Sequence, residues 1–319
     1  MTPPLLTVEN LSIAFGTRDK RLPVVSDVSF GVAPGEALGI FGESGSGKSL
    51  SMLSVLRLLP ASATVGATRF EFDGRDLLSL DDAGIRALRG REIAMIFQDP
   101  LAALNPVLTI GRQISEIARR HFGISRAQAL RRAAELLAAV GVPDPAGRLK
   151  QYPHQFSGGM RQRVMIAMAL AGQPRLLIAD EPTTALDVTV QAEIIGMIKR
   201  LQADLGMTIV WVTHDLALLT RIATRVLVMY AGRIVEDAST EDLFACPRHP
   251  YTKALLGSIP GAGQGRSRAL PARPPDPANP EPGCPFAPRC PEATDRCRIE
   301  APALVQQGDA GRVACWNAS

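Results

Sequence analysis

Along residues 5–33 apolar and polar side chains alternate with a period of two, the mark of half-buried strands. A polar stretch at residues 16–22 interrupts the alternation and reads as a loop between antiparallel strands. Residues 37–41 are a short apolar run that suits a buried strand, and residues 50–56 continue as a helix. A strand and turn follow at residues 69–74, and another short apolar strand ends at Phe97. From about residue 99 to 172 the pattern is helical. Within it residues 125–140 carry apolar and basic positions at helical spacing, with Ser125 as the cap, Gly141 as the stop and the charges on a solvated face. Apolar strands return at residues 175–180 and 208–212, and the α/β pattern runs to about Ala245 without an internal repeat. The prediction is an α/β fold carrying an antiparallel β subdomain and a helical subdomain.

The link between the strand at 37–41 and the helix after it changes the picture from architecture to chemistry. It reads Gly42-Glu43-Ser44-Gly45-Ser46-Gly47-Lys48-Ser49, the pattern G-x-x-x-x-G-K-[ST]. Strand, glycine loop and helix N-terminus together make a phosphate site. Gly42, Gly45 and Gly47 let the backbone approach closely, and the amides around Ser44 cradle the anion. Lys48 reaches the β- and γ-phosphates, and the Ser49 hydroxyl can hold Mg²⁺. This loop predicts binding of a nucleoside triphosphate.

Three later segments narrow the class. The apolar strand at 175–180 ends in Asp180 and Glu181, which a buried parallel strand delivers to the carboxyl edge of its sheet. Asp180 would hold Mg²⁺, and Glu181 would act as general base toward the attacking water. In Phe156-Ser157-Gly158-Gly159-Met160-Arg161-Gln162-Arg163, Ser157 caps a helix whose amides are left open by Gly158 and Gly159, a second anion site. One γ-phosphate hardly needs two cradles from one molecule, so this helix end is expected to face a phosphate held by another subunit. The strand at 208–212 leads into His214, which could contact the γ-phosphate.

These motifs, in this order, resemble the ATP-binding subunit of an ABC transporter, over about residues 5–245. The resemblance implies a P-loop NTPase core with Walker A at 42–49, a Q-loop at Gln98, the signature at Ser157, Walker B ending at Asp180 with Glu181, a D-loop Ala185-Leu186-Asp187 and a switch at His214. It implies ATP and Mg²⁺ as cofactors, with Ser49, Gln98 and Asp180 around the metal, Glu181, Gln98 and His214 as catalytic residues, and Asp187 at the nucleotide. Phe15 is the candidate for stacking on adenine, with a core strand residue as the alternative. Phe156 stands where the family often has leucine, which leaves the serine and glycine chemistry intact. The segments Gln98-Asp99-Pro100, Tyr152-Pro153-His154-Gln155, His249-Pro250-Tyr251-Thr252 and Gly283-Cys284-Pro285-Phe286-Ala287-Pro288-Arg289-Cys290 are similar to the dipeptide/oligopeptide importer subfamily, which nickel and other small-solute importers share. From that follow the expected partners: a second ATPase subunit, identical or homologous, two transmembrane permease subunits and, indirectly, an extracytoplasmic solute-binding protein. The expected place is the cytoplasmic face of the cell membrane. Soluble ABC ATPases of translation or DNA repair share the nucleotide motifs but usually carry two ATPase domains or a long coiled-coil insertion.

Composition sets bounds. In 319 residues, 46% are hydrophobic and 21% charged, ordinary for a globular protein, and the net charge of +4 without long basic runs gives little support to nucleic-acid binding. No apolar run approaches the ~20 residues that span a bilayer, and the first residues lack the blocks of a signal peptide.

Residues 246–319 read as a C-terminal extension to the 1–245 nucleotide-binding domain. Nine prolines fall in the 21 residues 271–291, which excludes helix and central strand. Cys284, Cys290, Cys297 and Cys315 follow the spacing C-x5-C-x6-C-x17-C, while Cys246 lies outside it. Four thiolates could hold an iron–sulfur cluster; structural zinc sites usually show closer pairs, and an extension with unpaired cysteines is the bland alternative. The subfamily resemblance implies a [4Fe–4S] cluster at these four cysteines. Since the ATP motifs all precede Ala245, nucleotide binding by the isolated core is expected to survive loss of such a cluster.

Overall fold

A computed structural model describes residues 3–17, 20–184, 186–258, 282–308 and 311–318. The chain forms two compact units, Met1–Ala33 with Ala37–Leu78 and Val212–Ser319, and Pro34–Glu36 with Ser79–Trp211.

The first unit opens with β1 (Leu6–Thr17) and β2 (Lys20–Val32), an antiparallel pair. The predicted loop at 16–22 is the tip of this hairpin, with Phe15 opposite Leu22 and Gly16 opposite Arg21: polar residues at an exposed ribbon end keep ladder pairing while losing the alternation. Buried positions on β1 step from Leu6 and Val8 to Leu11 and Ile13, one residue out of period. A bulge at Asn10, left-handed at φ 53°, absorbs the extra residue, and a matching left-handed Asp27 (φ 56°) resets β2. Asn10 Nδ2 donates to Asp27 Oδ1 across the pair. After β3 (Ala37–Phe41) and α1 (Lys48–Val55) come β4 (Ala63–Gly66), β5 (Arg69–Phe72) and β6 (Arg75–Asp76). They complete a sheet ordered β2-β1-β5-β6, with β4 also on β1.

The second unit holds α2 (Asp82–Leu88), β7 (Ile93–Ile96), α3 (Pro100–Ala103), α4 (Ile110–Phe122), α5 (Arg126–Ala139), α6 (Pro145–Arg148), α7 (Gly158–Leu170), β8 (Leu176–Asp180), α8 (Val188–Leu205) and, as far as Trp211, β9 (Thr208–Thr213). β7 and β8 are parallel, with Ile96 opposite Ala179, and both are wholly buried. The helical region expected at 99–172 is α3 to α7. Thr109 caps α4, and Ser125 and Gln128 form a capping box on α5. Ala129, Ala133 and Leu137, four residues apart, are fully buried where α5 packs on α4 and α7, while Arg126 and Arg131 are exposed on the other face.

The first unit resumes with α9 (Leu216–Ile222), β10 (Arg225–Tyr230), β11 (Arg233–Ser239), α10 (Thr240–Ala245), α11 (Pro250–Leu256), α12 (Asp295–Ile299), β12 (Val305–Gln306) and β13 (Arg312–Val313). β10 runs parallel to β3, and the strands follow the order β12-β13-β11-β10-β3. The extension therefore ends by adding two strands to the β11 edge. Arg312 binds the nearly buried Asp237 there at 2.6 Å, a carboxylate that Arg225 also meets at 3.3 Å. Most of the proline-rich segment, residues 271–281, lies outside the described residues. Among the described residues no helix is long and apolar enough to cross a membrane.

Candidate active site

The loop at 42–49 joins β3 to α1, and two of its glycines are required by geometry. Gly47 caps α1 at φ 95°, and a Cβ there would lie 3.0 Å from Val25 Cγ2; at Gly42 a Cβ would lie 2.2 Å from the Met229 carbonyl on β10. Lys48 Nζ, 5% exposed, donates to the carbonyls of Gly42 (2.7 Å) and Glu43 (2.9 Å), so its charge sits over the start of the loop. Ser44 and Gly45 are exposed at the tip. Ser46 is buried, and its hydroxyl has no hydrogen-bond partner among the described residues. An orphaned buried hydroxyl costs about 1–3 kcal/mol, a deficit that a phosphate oxygen would remove. Ser49, half-buried, is the second residue of α1.

In the second unit β8 ends at Asp180, 8% exposed. Glu181 follows in the left-handed region at φ 46°, an uncommon conformation for a residue with a long side chain. Its Oε2 accepts from Gln98 Nε2 and from Thr184 Oγ1, both at 3.0 Å. The pairing has a topological origin: Gln98 lies two residues beyond β7 and Glu181 one residue beyond its parallel neighbour β8, so both leave at the same edge. The Ser49 hydroxyl in the first unit, and the Asp180 carboxylate and Gln98 amide oxygen in the second, are each hard oxygen donors of the kind that Mg²⁺ takes.

Phe156, 3% exposed, anchors the entry to α7, with the Arg148 guanidinium 5.6 Å from its ring centre. Ser157 Oγ accepts from Met160 N at 3.3 Å, capping α7. Ser157 and Gly158 are exposed, and a Cβ on Gly158 would meet nothing within 4 Å, whereas one on Gly159 would lie 3.1 Å from Val190 Cγ1 of α8. The helix end is thus open on one side and tightly packed on the other. Asp187, exposed, caps α8 by accepting from Val190 N at 2.9 Å; Ala185 before it lies outside the described residues. His214 is exposed directly after β9, ahead of Asp215, which caps α9. Phe15 is half-buried in β1, between Leu22 of β2 and Ala63 of β4.

Cys284, Cys290, Cys297 and Cys315 line one cavity of about 10 Å³, together with His249 and Trp316. None of the five cysteines forms a disulfide, and Cys246 is exposed elsewhere. Burial pushes the Cys290 thiol up to about 11 and raises Cys284 and Cys315, so all three are protonated thiols at neutral pH. Cys297 Sγ lies 3.3 Å from Thr294 Oγ1, and Cys315 Sγ accepts from Asn317 N at 3.4 Å. Four soft donors around one cavity suit iron–sulfur or zinc chemistry in kind. In arrangement they fall short, for among the described residues no group of three or more His, Cys, Asp or Glu is placed to hold a metal ion.

A family profile described as ABC transporter matches residues 25–184, and a second, described as the C-terminal region of oligopeptide/dipeptide transporters, matches residues 235–297. The chain belongs to the ABC transporter ATPases. It is 50% identical, over 99% of its length and 95% of the relative's, to a probable peptide ABC transporter ATP-binding protein of Sinorhizobium fredii, y4tR. It is 49% identical to the dipeptide transport ATP-binding protein DppD of Escherichia coli, covering 98% of this chain and 96% of that one. Among solved structures, the ATP-binding cassette MJ0796, in a dimeric post-hydrolysis state with ADP and Pi, superposes with a TM-score of 0.65 at 28% identity, covering 74% of this ATPase and 98% of the cassette.

The sequence reading passed over the surroundings of Glu43. Glu43 N donates to the Tyr251 hydroxyl at 3.0 Å, and its carboxylate meets Arg289 of the extension at 2.8 and 3.1 Å. The loop is therefore held in part by residues beyond Ala245. The signal was faint but present: Arg289 is the one charged residue in the Cys284–Cys290 interval, and Glu43 the one charged loop residue besides Lys48.

Proposed function

We propose that this chain is the ATPase subunit of an importer of di- or oligopeptides, working at the cytoplasmic face of the cell membrane. The observation that carries the reading is near full-length likeness, at 47–50% identity, to peptide and dipeptide transport ATP-binding proteins, a likeness that runs through the extension as well as the nucleotide motifs. The loop amides, Ser46 and Lys48 bind the phosphates of ATP. Ser49, Asp180 and Gln98 hold Mg²⁺, which when bound offsets phosphate charge. Glu181 accepts the proton of the attacking water, with Gln98 and Thr184 fixing its carboxylate, and His214 contacts the γ-phosphate. Phe15 stacks on adenine. The open end of α7, with Ser157, Gly158 and Gly159, closes over ATP held by a second ATPase subunit, identical or homologous, with Asp187 beside it. The dimeric MJ0796 cassette supports this pairing. Two permease subunits and, through them, an extracytoplasmic solute-binding protein complete the assembly. Cys284, Cys290, Cys297 and Cys315 would be the donors of a [4Fe–4S] cluster, with zinc as the competing occupant; the shared cavity supports the donor set, while the placement of the described residues does not form a metal site.

The test is purification of the ATPase with its membrane subunits, followed by identification of the receptor that docks on them and the solute it carries. A bound di- or oligopeptide is expected. A nickel complex or another small solute would replace the cargo and keep the ATPase role, and an absence of membrane subunits would overturn the importer reading.

A further inference from the structure

The phosphate loop carries a charge that works against its ligand. Glu43 follows Gly42 directly, and its carbonyl accepts from the same Lys48 ammonium that serves the phosphates. A carboxylate so placed repels a triphosphate through a partly desolvated path, where Coulomb interactions exceed their strength in water. The carboxylate is not left alone. Arg289, 5% exposed, sets Nη1 2.8 Å from Glu43 Oε2 and Nη2 3.1 Å from Oε1, a two-pronged pair. Arg289 Nη1 also donates to the Tyr230 hydroxyl at 3.2 Å, and its guanidinium stands 5.7 Å from that ring's centre. Tyr251 accepts from Glu43 N, which turns this amide toward α11. Tyr230, Tyr251 and Phe286 pack ring on ring, with centres 4.6–5.4 Å apart. Behind them His249 is buried and held neutral, its pKa lowered to about 3 by burial, so that its Nδ1 accepts from Tyr251 N at 3.0 Å. Strand β10, helix α11 and the Cys284–Cys290 segment thus converge on one loop residue.

We propose that Arg289 is a positioning residue for the phosphate loop, supplied by the C-terminal extension, which neutralises Glu43 so that the loop presents net positive charge to ATP. The proposal rests on the reading of residues 42–49 as the nucleotide loop and holds whether or not the four cysteines carry a metal. Bidentate geometry makes lysine a poor substitute at this position.

The experiment measures binding of fluorescent ATP and ADP analogues, with Mg²⁺, to the full-length chain at low and high ionic strength, with melting temperature recorded alongside. Arg289→Ala should weaken ATP about fivefold or more and ADP less, with a gap that narrows as salt screens the unpaired carboxylate. Adding Glu43→Gln to Arg289→Ala should restore ATP affinity to within about twofold, because the unpaired charge is then gone. Arg298→Ala, at an exposed extension arginine, should change nothing. Should Arg289→Ala not fold, Arg289→Lys in its place should show an intermediate loss that Glu43→Gln also relieves. Unchanged affinity in the arginine variants overturns the proposal, as does an equal loss for ATP and ADP that Glu43→Gln fails to relieve, the mark of a merely structural role. Failure of the wild-type chain to bind either nucleotide would instead overturn the loop reading beneath it.

Discussion

At the scale of single residues, Glu181 combines three features: it directly follows a buried strand, holds a left-handed backbone and takes two side-chain hydrogen bonds on one carboxylate oxygen. A strained conformation costs about 1–3 kcal/mol and persists where the surrounding structure fixes it, which here places a carboxylate beside Gln98. Glu181→Gln keeps the size and loses the base. ATP hydrolysis by the assembled transporter should fall about 100-fold or more while ATP binding persists, read from steady-state turnover and from nucleotide retained on the protein. Near-normal turnover would remove Glu181 from the base role. Lys48→Ala should act at the other stage and abolish most nucleotide binding, measured by equilibrium titration, since it deletes the ammonium poised over Gly42 and Glu43.

At the scale of elements, the end of α7 is divided between a face packed on α8 through Gly159 and an open face at Ser157 and Gly158. Phe156, sunk to 3% exposure, fixes the helix start so that the open face is held rigidly. A rigid, open, Ser-capped helix end suits an anion brought by another molecule. Replacing Ser157 by Arg should therefore impair hydrolysis of ATP bound by the partner subunit more than ATP at this chain's own Lys48. Mixed assemblies with one altered subunit, each paired with a binding-dead Lys48→Ala copy on one side or the other, separate the two. Equal loss at both sites, or a crosslink from Ser157 to ATP held by its own chain, would defeat the shared-site reading.

At the scale of the whole molecule, the contacts that join the extension to the core include the β13 strand on β11, the Arg248 and His249 amides on the Glu236 carboxylate, and the Arg289 pair on Glu43. Protein made anaerobically with iron and sulfide should be brown, absorbing broadly near about 400 nm, and should bleach when any of Cys284, Cys290, Cys297 or Cys315 is changed to Ser. Cys246→Ser, at an exposed thiol that does not line their cavity, should leave the colour unchanged. Stoichiometric zinc in colourless protein would point to a zinc site, and reactive thiols without metal to a plain extension. The nucleotide motifs, the buried strands and the helix caps were legible in sequence because each depends on local chemistry: a glycine at a left-handed turn, a serine at a helix start, an unbroken apolar run. The polar hairpin tip was misread as a loop because ladder hydrogen bonds involve the backbone and leave no trace in side-chain alternation. Glu43 with Arg289, 246 residues apart, and Gln98 with Glu181, 83 apart, were decided by the tertiary structure alone. Contacts of that span follow from which strands lie side by side, and strand order is a property of the folded sheet that no local pattern in the sequence encodes.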